Sequence, residues 1–62
     1  MLKVIYRERQ FINKYKCIDN LKELHARSYF TGGISGTLYY FKLIEFKYKT
    51  LAKEDIISIE EV

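Results

Sequence analysis

One block of the chain, Leu38–Tyr48, consists almost entirely of residues that favour β-strands. It runs Leu-Tyr-Tyr-Phe-Lys-Leu-Ile-Glu-Phe-Lys-Tyr, and aromatic and β-branched side chains pack well on a pleated surface. Ten of the 62 residues are Phe or Tyr, and the chain contains neither Trp nor Pro. The block therefore predicts a folded domain with a β-sheet at its centre. It carries no information about chemistry.

The length of the chain predicts a single small domain over residues 1–62. A domain of this size buries only about 60% of the surface that its unfolded chain exposes, so its stability is marginal. Cys17 is the only cysteine and His25 the only histidine, which leaves no internal disulfide and too few ligands for a structural zinc site. Stability must then come from dense aromatic packing or from self-association through an exposed aromatic face.

The sequence predicts a soluble, cytoplasmic protein without a membrane contact. No apolar run approaches the ~18 residues of a membrane span. The first residues, Met1–Arg7, reach charged side chains too early for a signal peptide. A lone cysteine also fits a reducing compartment.

The first half of the chain predicts a hairpin followed by a helix. Residues 2–18 form two extended runs, with a turn at either Arg7–Gln10 or Asn13-Lys14. Residues 20–30 predict a short helix, because Asn20-Leu21-Lys22-Glu23 has the spacing of a capping box. In that stretch Leu21, Leu24 and Ser28 repeat at helical spacing, and Gly32-Gly33 would end the helix.

The second half predicts further strands. Ile44, Phe46 and Tyr48 alternate with charged residues, but Phe41 has the opposite parity, which indicates a β-bulge or a strand buried on both faces. A polar turn at residues 53–55 and a return strand at residues 56–59 follow. The predicted fold is α+β, one short helix on a mainly antiparallel sheet of four or five strands in the order ββαβββ, with a small β-barrel as the alternative. The predicted core comprises Val4, Tyr6, Phe11, Cys17, Leu21, Leu24, Tyr40, Ile44, Phe46, Leu51, Ile57 and Ile59.

Groups that could perform catalysis do not converge in the sequence. A lone His25 in a short helix is usually a boundary residue, and Cys17 between strand residues is usually buried and structural. The adjacent acids Glu54-Asp55 and Glu60-Glu61 do not aim at one atom if they lie in strands. We expect no enzyme activity, no cofactor, no metal and no small-molecule substrate.

The three glycines, Gly32, Gly33 and Gly36, predict a mobile loop over residues 31–36. Gly33-Ile34-Ser35-Gly36 has the spacing of the GxxG clamp with which KH domains hold RNA. That clamp joins two helices and carries a basic residue, whereas this segment would join a helix to a strand. A flexible connector is the better interpretation.

The last candidate is a binding face of interleaved aromatic and basic residues. Its members are Tyr39, Tyr40, Lys42, Lys47, Tyr48 and Lys49, with lysines that could hold phosphates and rings that could stack on bases. Residues 1–49 carry ten basic against four acidic side chains and residues 50–62 one against four. This asymmetry is typical either of a basic binding face with an acidic end or of ordinary solvated surfaces, and we favour solvated surfaces. For the interleaved residues themselves, the favoured interpretation is an ordinary amphipathic sheet whose lysines protect an edge strand.

Taken together, these patterns predict a non-enzymatic module that binds a protein partner or itself. The alternative function is a sheet-based nucleic-acid-binding protein. The abundance of Lys, Ile, Tyr and Asn resembles that of short open reading frames from AT-rich genomes, including accessory proteins of phages and mobile elements. This compositional resemblance implies a small regulatory protein and names no target.

Overall fold

The computed structural model describes residues 1–33 and 36–62 of the chain. They form one antiparallel sheet of five strands, β1 Leu2–Asn13, β2 Lys16–Gly32, β3 Leu38–Leu43, β4 Tyr48–Ala52 and β5 Ile56–Glu61. The spatial order of the strands is β4-β3-β2-β1-β5. Consecutive strands β1 to β4 are neighbours, and β5 returns to pair with the other side of β1. A turn of 3₁₀-helix, Lys53–Asp55, joins β4 to β5.

The predicted helix over residues 20–30 is wrong, and with it the α+β fold. These residues lie inside β2, which pairs with β1 from Lys16 to Ala26 and with β3 from Ala26 to Gly32. The stretch satisfies two periods at once, since Leu24 and Ala26 also lie two residues apart on one face of a strand. Pairing along two neighbouring strands outweighs the local preference for a helix.

The alternative of a closed barrel is not formed either. Among the described residues, β4 and β5 are the two edges of the sheet and do not pair with each other. The sheet is nevertheless strongly curved. The ammonium of Lys49 on β4 lies 5.9 Å from the ring centroid of Tyr6 on β1, although two strands separate them in the sheet.

The core lies on the concave face of this sheet, here called the inner face. Residues directly opposite each other in an antiparallel pair point to the same side, so the register assigns every strand position to the inner or the outer face. Among the described residues, five side chains are buried, and four more pack against them in part. The buried five are Val4, Tyr6, Ala26, Phe41 and Leu51; the partly buried four are Leu2, Leu24, Tyr39 and Ile56.

Much of the predicted core is exposed. Val4, Tyr6 and Leu51 are buried as predicted, whereas Leu24 and Tyr40 are half-buried. Ala26 and Phe41 were not predicted as core residues and are fully buried. The predicted core residues that are exposed are Phe11, Cys17, Leu21, Ile44, Phe46, Ile57 and Ile59.

Two further expectations are corrected by the strand bounds. Of the two positions predicted for the first hairpin turn, Arg7–Gln10 is wrong because it lies within β1, whereas Asn13-Lys14 is within one residue of the observed turn at Lys14-Tyr15. The change of parity after Phe41 is neither a bulge nor a strand buried on both faces. It is the end of β3 and the start of a turn, because Ile44 and Glu45 lie in the β3–β4 connection.

The first hairpin extends beyond the rest of the sheet. Strand β5 covers β1 only from Leu2 to Tyr6, and β3 covers β2 only from Ala26 onwards. Residues 7–21 therefore form a two-stranded ribbon. The radius of gyration is 12.6 Å, compared with about 10.6 Å for a compact chain of this length. Among the described residues, no helix is long and apolar enough to cross a membrane.

Candidate binding surfaces

The ribbon, residues 7–21, carries apolar side chains that nothing in the described structure covers. Phe11 is 73% and Leu21 is 68% exposed. Both lie on the outer face. Tyr6 of β1 points inward and side chains alternate along a strand, so Arg7 and Phe11 point outward. Leu21 is directly opposite Arg7 and points the same way. Ile12 and Tyr15 add exposed surface near the tip. This apolar surface is open to a partner. A two-stranded hairpin is at best marginally stable in water by itself, so the ribbon would gain stability if a partner covered it.

The ribbon also has an open backbone edge along β2. Residues 16–25 pair with β1 on one side, and within the described part of the chain no strand pairs with them on the other. Alternate residues of an antiparallel strand direct their N–H and C=O groups outward. An unpaired edge of this length is a template for one more strand from another chain.

The charge of the ribbon is positive. The ribbon contains four basic side chains and two acidic ones. The basic residues are Arg7, Arg9, Lys14 and Lys16, and the acidic residues are Glu8 and Asp19. Arg9 lies 3.9 Å from Asp55 of the 3₁₀-helix, which joins the base of the ribbon to the rest of the sheet. The other three basic groups form no ion pair within residues 1–33 and 36–62. The ribbon thus offers apolar area, an open edge and unpaired positive charge.

The predicted aromatic and basic binding face is divided between the two sides of the sheet. Tyr40, Lys42 and Tyr48 share the outer face, since Lys42 is opposite Tyr48 and alternates with Phe41. Tyr39 and Lys49 point to the inner face, where Tyr39 packs on the core and Lys49 approaches Tyr6. Lys47 lies in the β3–β4 turn and pairs with Glu45 at 3.6 Å.

The three outer residues belong to a larger surface, here called the aromatic–cation patch. Its members are Arg27, Phe30, Tyr40, Lys42, Phe46 and Tyr48. The Phe46 ring centroid lies 5.5 Å from the guanidinium carbon of Arg27 and 5.5 Å from the ammonium of Lys42. The rings of Phe30 and Tyr48 lie 6.1 Å apart, and Phe30 is directly opposite Tyr40. The patch is continuous across β2, β3, the β3–β4 turn and the start of β4.

The backbone at Phe46 is in the left-handed region. Its φ is 63°, and no other residue than glycine has a positive φ in the described part of the chain. The N–H of Phe46 donates to the Leu43 carbonyl at 3.0 Å, and the Leu43 N–H donates to the Lys47 carbonyl at 2.7 Å. Such a turn favours Gly at the left-handed position. A bulky aromatic residue there is an outlier, and its side chain is 67% exposed.

Sequence reasoning missed Arg27, Phe30 and Phe46. The register of β2 shifts between Ala26 and Ser28, which puts Arg27 at an irregularity that no local pattern indicates. Phe30 was assigned to the end of a helix, and Phe46 to the core. The one available signal was parity, since Tyr40, Lys42 and Tyr48 are separated by even numbers of positions.

The candidate catalytic groups are far apart. Cys17 and His25 lie eight residues apart on the same strand, which at ~3.3 Å per residue is roughly 26 Å. His25 lies 3.1 Å from Glu23, and Cys17 is exposed rather than buried. Glu60 pairs with Lys3 at 3.6 Å, and Glu61 pairs with the terminal amino group at 2.9 Å. Within residues 1–33 and 36–62, no three His, Cys, Asp or Glu side chains form a group that could hold a metal ion.

The predicted mobile loop falls partly outside the described residues, which exclude Ile34 and Ser35. Gly33 and Gly36 both have positive φ, at 78° and 65°. Gly32 is instead the last residue of β2. The mobility of the loop stays a prediction.

Comparisons of the chain with protein-family models, with curated proteins and with solved structures find no match.

Proposed function

We propose that this protein is a non-enzymatic binding module that uses its ribbon to dock on an acidic protein partner. The observation that carries the proposal is the unpaired edge of β2 at residues 16–25 beside exposed apolar side chains. A segment of a partner that adds to this edge would satisfy its backbone groups, and its own side chains would cover Phe11 and Leu21. This is recognition by strand addition.

The charge of the ribbon favours a different protein over a second copy. Two ribbons, each with an excess of two positive charges, repel one another, whereas an acidic partner segment is attracted by Lys14 and Lys16. Complementary charge raises the association rate and selects among partners. Self-association through the ribbon is the competing outcome of the experiment.

The experiment is a selection from a random 12-residue peptide library displayed on phage. Wild type is the bait, and the double variant Phe11→Thr/Leu21→Thr is the counter-bait. Both positions are exposed and Thr retains a high strand propensity, so we expect the variant to fold. We expect enriched peptides that combine acidic with apolar residues, and amide NMR shifts from them that concentrate on residues 16–25.

The matched control is Ile57→Thr, which removes an exposed apolar side chain from β5, outside the ribbon. We expect this variant to bind the selected peptides as wild type does. Peptides that bind wild type and the ribbon variant equally would contradict the proposal. If sedimentation equilibrium showed that wild type and Ile57→Thr form dimers and the ribbon variant does not, the molecule that binds the ribbon would be a second copy of this chain.

A second candidate function is nucleic-acid binding, which the rings and cations of the aromatic–cation patch favour.

A further inference from the structure

We propose that the aromatic–cation patch is a binding site for single-stranded nucleic acid. This goes beyond the ribbon function, because the patch lies on β2, β3, the β3–β4 turn and the first residue of β4, outside residues 7–21. The site comprises rings on which bases stack and cations that hold the adjacent phosphates.

The rings are presented to solvent. Phe46 and Tyr48 are 67% and 62% exposed, and Phe30 lies beside Tyr48. Exposed rings that lie side by side on a sheet are a platform on which successive unpaired bases can stack, and stacking of this kind depends little on base identity. A duplex does not expose the faces of its bases, so the patch fits single strands.

The cations of the patch have no acidic partner. Within residues 1–33 and 36–62, neither Arg27 nor Lys42 forms an ion pair, and each lies over the Phe46 ring instead. Two unpaired cations beside exposed rings are complementary to a chain that alternates phosphates with bases.

The backbone of Phe46 supports the assignment. A residue with a Cβ is sterically strained in the left-handed region, and such strain is concentrated at functional sites. Glycine at position 46 would relieve this strain. The residue there is instead a phenylalanine, whose ring lies between Arg27 and Lys42 at the centre of the proposed site.

The test measures fluorescence anisotropy of labelled 12-nucleotide oligo-dT and oligo-U with the full chain. If Arg27 and Lys42 each neutralise one phosphate, the logarithm of affinity falls with the logarithm of salt with a slope of about −1.4. Affinity then drops roughly sevenfold between 50 and 200 mM salt. We expect a 12-base-pair duplex to bind more weakly than either single strand.

Variants locate the site. We expect Phe46→Ala and Lys42→Gln to weaken binding by about tenfold and severalfold, respectively. Phe46→Gly, which removes the ring from a backbone that suits glycine, should lose affinity as Phe46→Ala does. The matched controls are Tyr15→Ala and Lys14→Gln, because Tyr15 is 85% exposed and the Lys14 ammonium lies 5.0 Å from its ring centroid. Neither control should alter the affinity.

Several outcomes would overturn the proposal. They are an absence of binding at 50 mM salt, equal loss in the Tyr15 and Phe46 variants, equal affinity for duplex and single strand, and displacement of oligo-dT by an equal concentration of a 12-residue oligoglutamate. The last would show a patch that attracts any polyanion or acidic peptide. The Phe11→Thr/Leu21→Thr variant retains the patch, so it should bind oligo-dT normally whether or not the ribbon function holds.

Discussion

The ring of Tyr40 lies in the space that a side chain at Gly32 would fill. A Cβ added to Gly32 would collide with Cε2 and Cδ2 of this ring. Gly32 is opposite Leu38, whereas Tyr40 is opposite Phe30, so the ring reaches diagonally across the outer face to cover the glycine. An aromatic side chain over a strand glycine replaces packing that the glycine itself cannot supply.

Substitution Gly32→Ala should therefore destabilise the protein. The added methyl group must displace the half-buried Tyr40 ring, and overpacking of this kind costs about 1–3 kcal/mol. The measurement is the free energy of unfolding from urea titration, with an unchanged m-value as the check that the native and denatured states remain comparable.

The control is the same substitution in a Tyr40→Ala background. Without the ring, Ala at position 32 has no collision and is more favourable in a strand than Gly by about 0.5–1 kcal/mol. The sign of the effect should reverse. An equal cost of Gly32→Ala in both backgrounds would show that the ring is not its cause.

Two phenylalanines that look alike in the sequence should behave differently. Phe41 is fully buried and Phe11 is exposed. Phe41→Ala should cost about 3–5 kcal/mol, enough to unfold much of a marginal domain, and Phe11→Ala should change stability by less than about 1 kcal/mol. Circular dichroism during urea titration measures both. A similar loss in the two variants would contradict the core described above.

The position of Phe41 shows how far sequence periodicity reached. The turn at Lys53–Asp55 and the return strand after it were recognisable from their patterns, because alternation and polar punctuation are local. The alternation of Ile44, Phe46 and Tyr48, by contrast, predicted a strand where the structure has the β3–β4 turn. Which face of a strand points inward depends on its pairing with other strands and not on the local sequence. The core prediction took Tyr40 and Ile44 as inward, and only the register with β2 and β4 shows that Phe41 lies inside.

Leu21 and Leu24 show why the helix was predicted. Their spacing puts them on one face of a helix, whereas in β2 they point to opposite faces, with Leu24 at the core and Leu21 exposed. The segment is a strand rather than a helix because β1 pairs with β2 from Lys16 to Ala26 and β3 pairs with it from Ala26 to Gly32. A short helix receives most of its stability from tertiary packing, and local sequence does not contain that packing.

The candidate site was predictable only in part, for the same reason. Tyr40 and Lys42 fall on one face of β3 by parity, which the sequence shows. Tyr48 lies beyond the turn, and only the register of β4 with β3 puts it on that face. Arg27 and Phe46 come to the same patch through a shift of register and through a turn in which a phenylalanine takes the place usual for glycine. Neither feature has a signature that a propensity or a period can detect.

The thiol of Cys17 should react as an accessible group. Cys17 lies on the ribbon opposite Phe11 and is exposed, so Ellman's reagent should modify one thiol per chain in native buffer, at a rate within severalfold of that in 6 M urea. Exposure governs the access of such reagents. Because the chain has one cysteine, a Cys17→Ser variant gives the blank. Protection by several orders of magnitude would show that the ribbon is folded onto other surface.

The last prediction concerns the backbone at Phe46. Phe46→Gly and Phe46→Ala both remove the ring and its contacts with Arg27 and Lys42, so the difference between them reports the left-handed conformation alone. We expect Gly to be more stable than Ala by about 1 kcal/mol, measured by urea unfolding. At Tyr48, an exposed strand position without positive φ, the same pair should have the opposite order, since Gly in a strand is less stable than Ala by about 0.5–1 kcal/mol. If Ala were the more stable residue at both positions, Phe46 would carry no strain, and the argument that its ring is held there for binding would lose its energetic support.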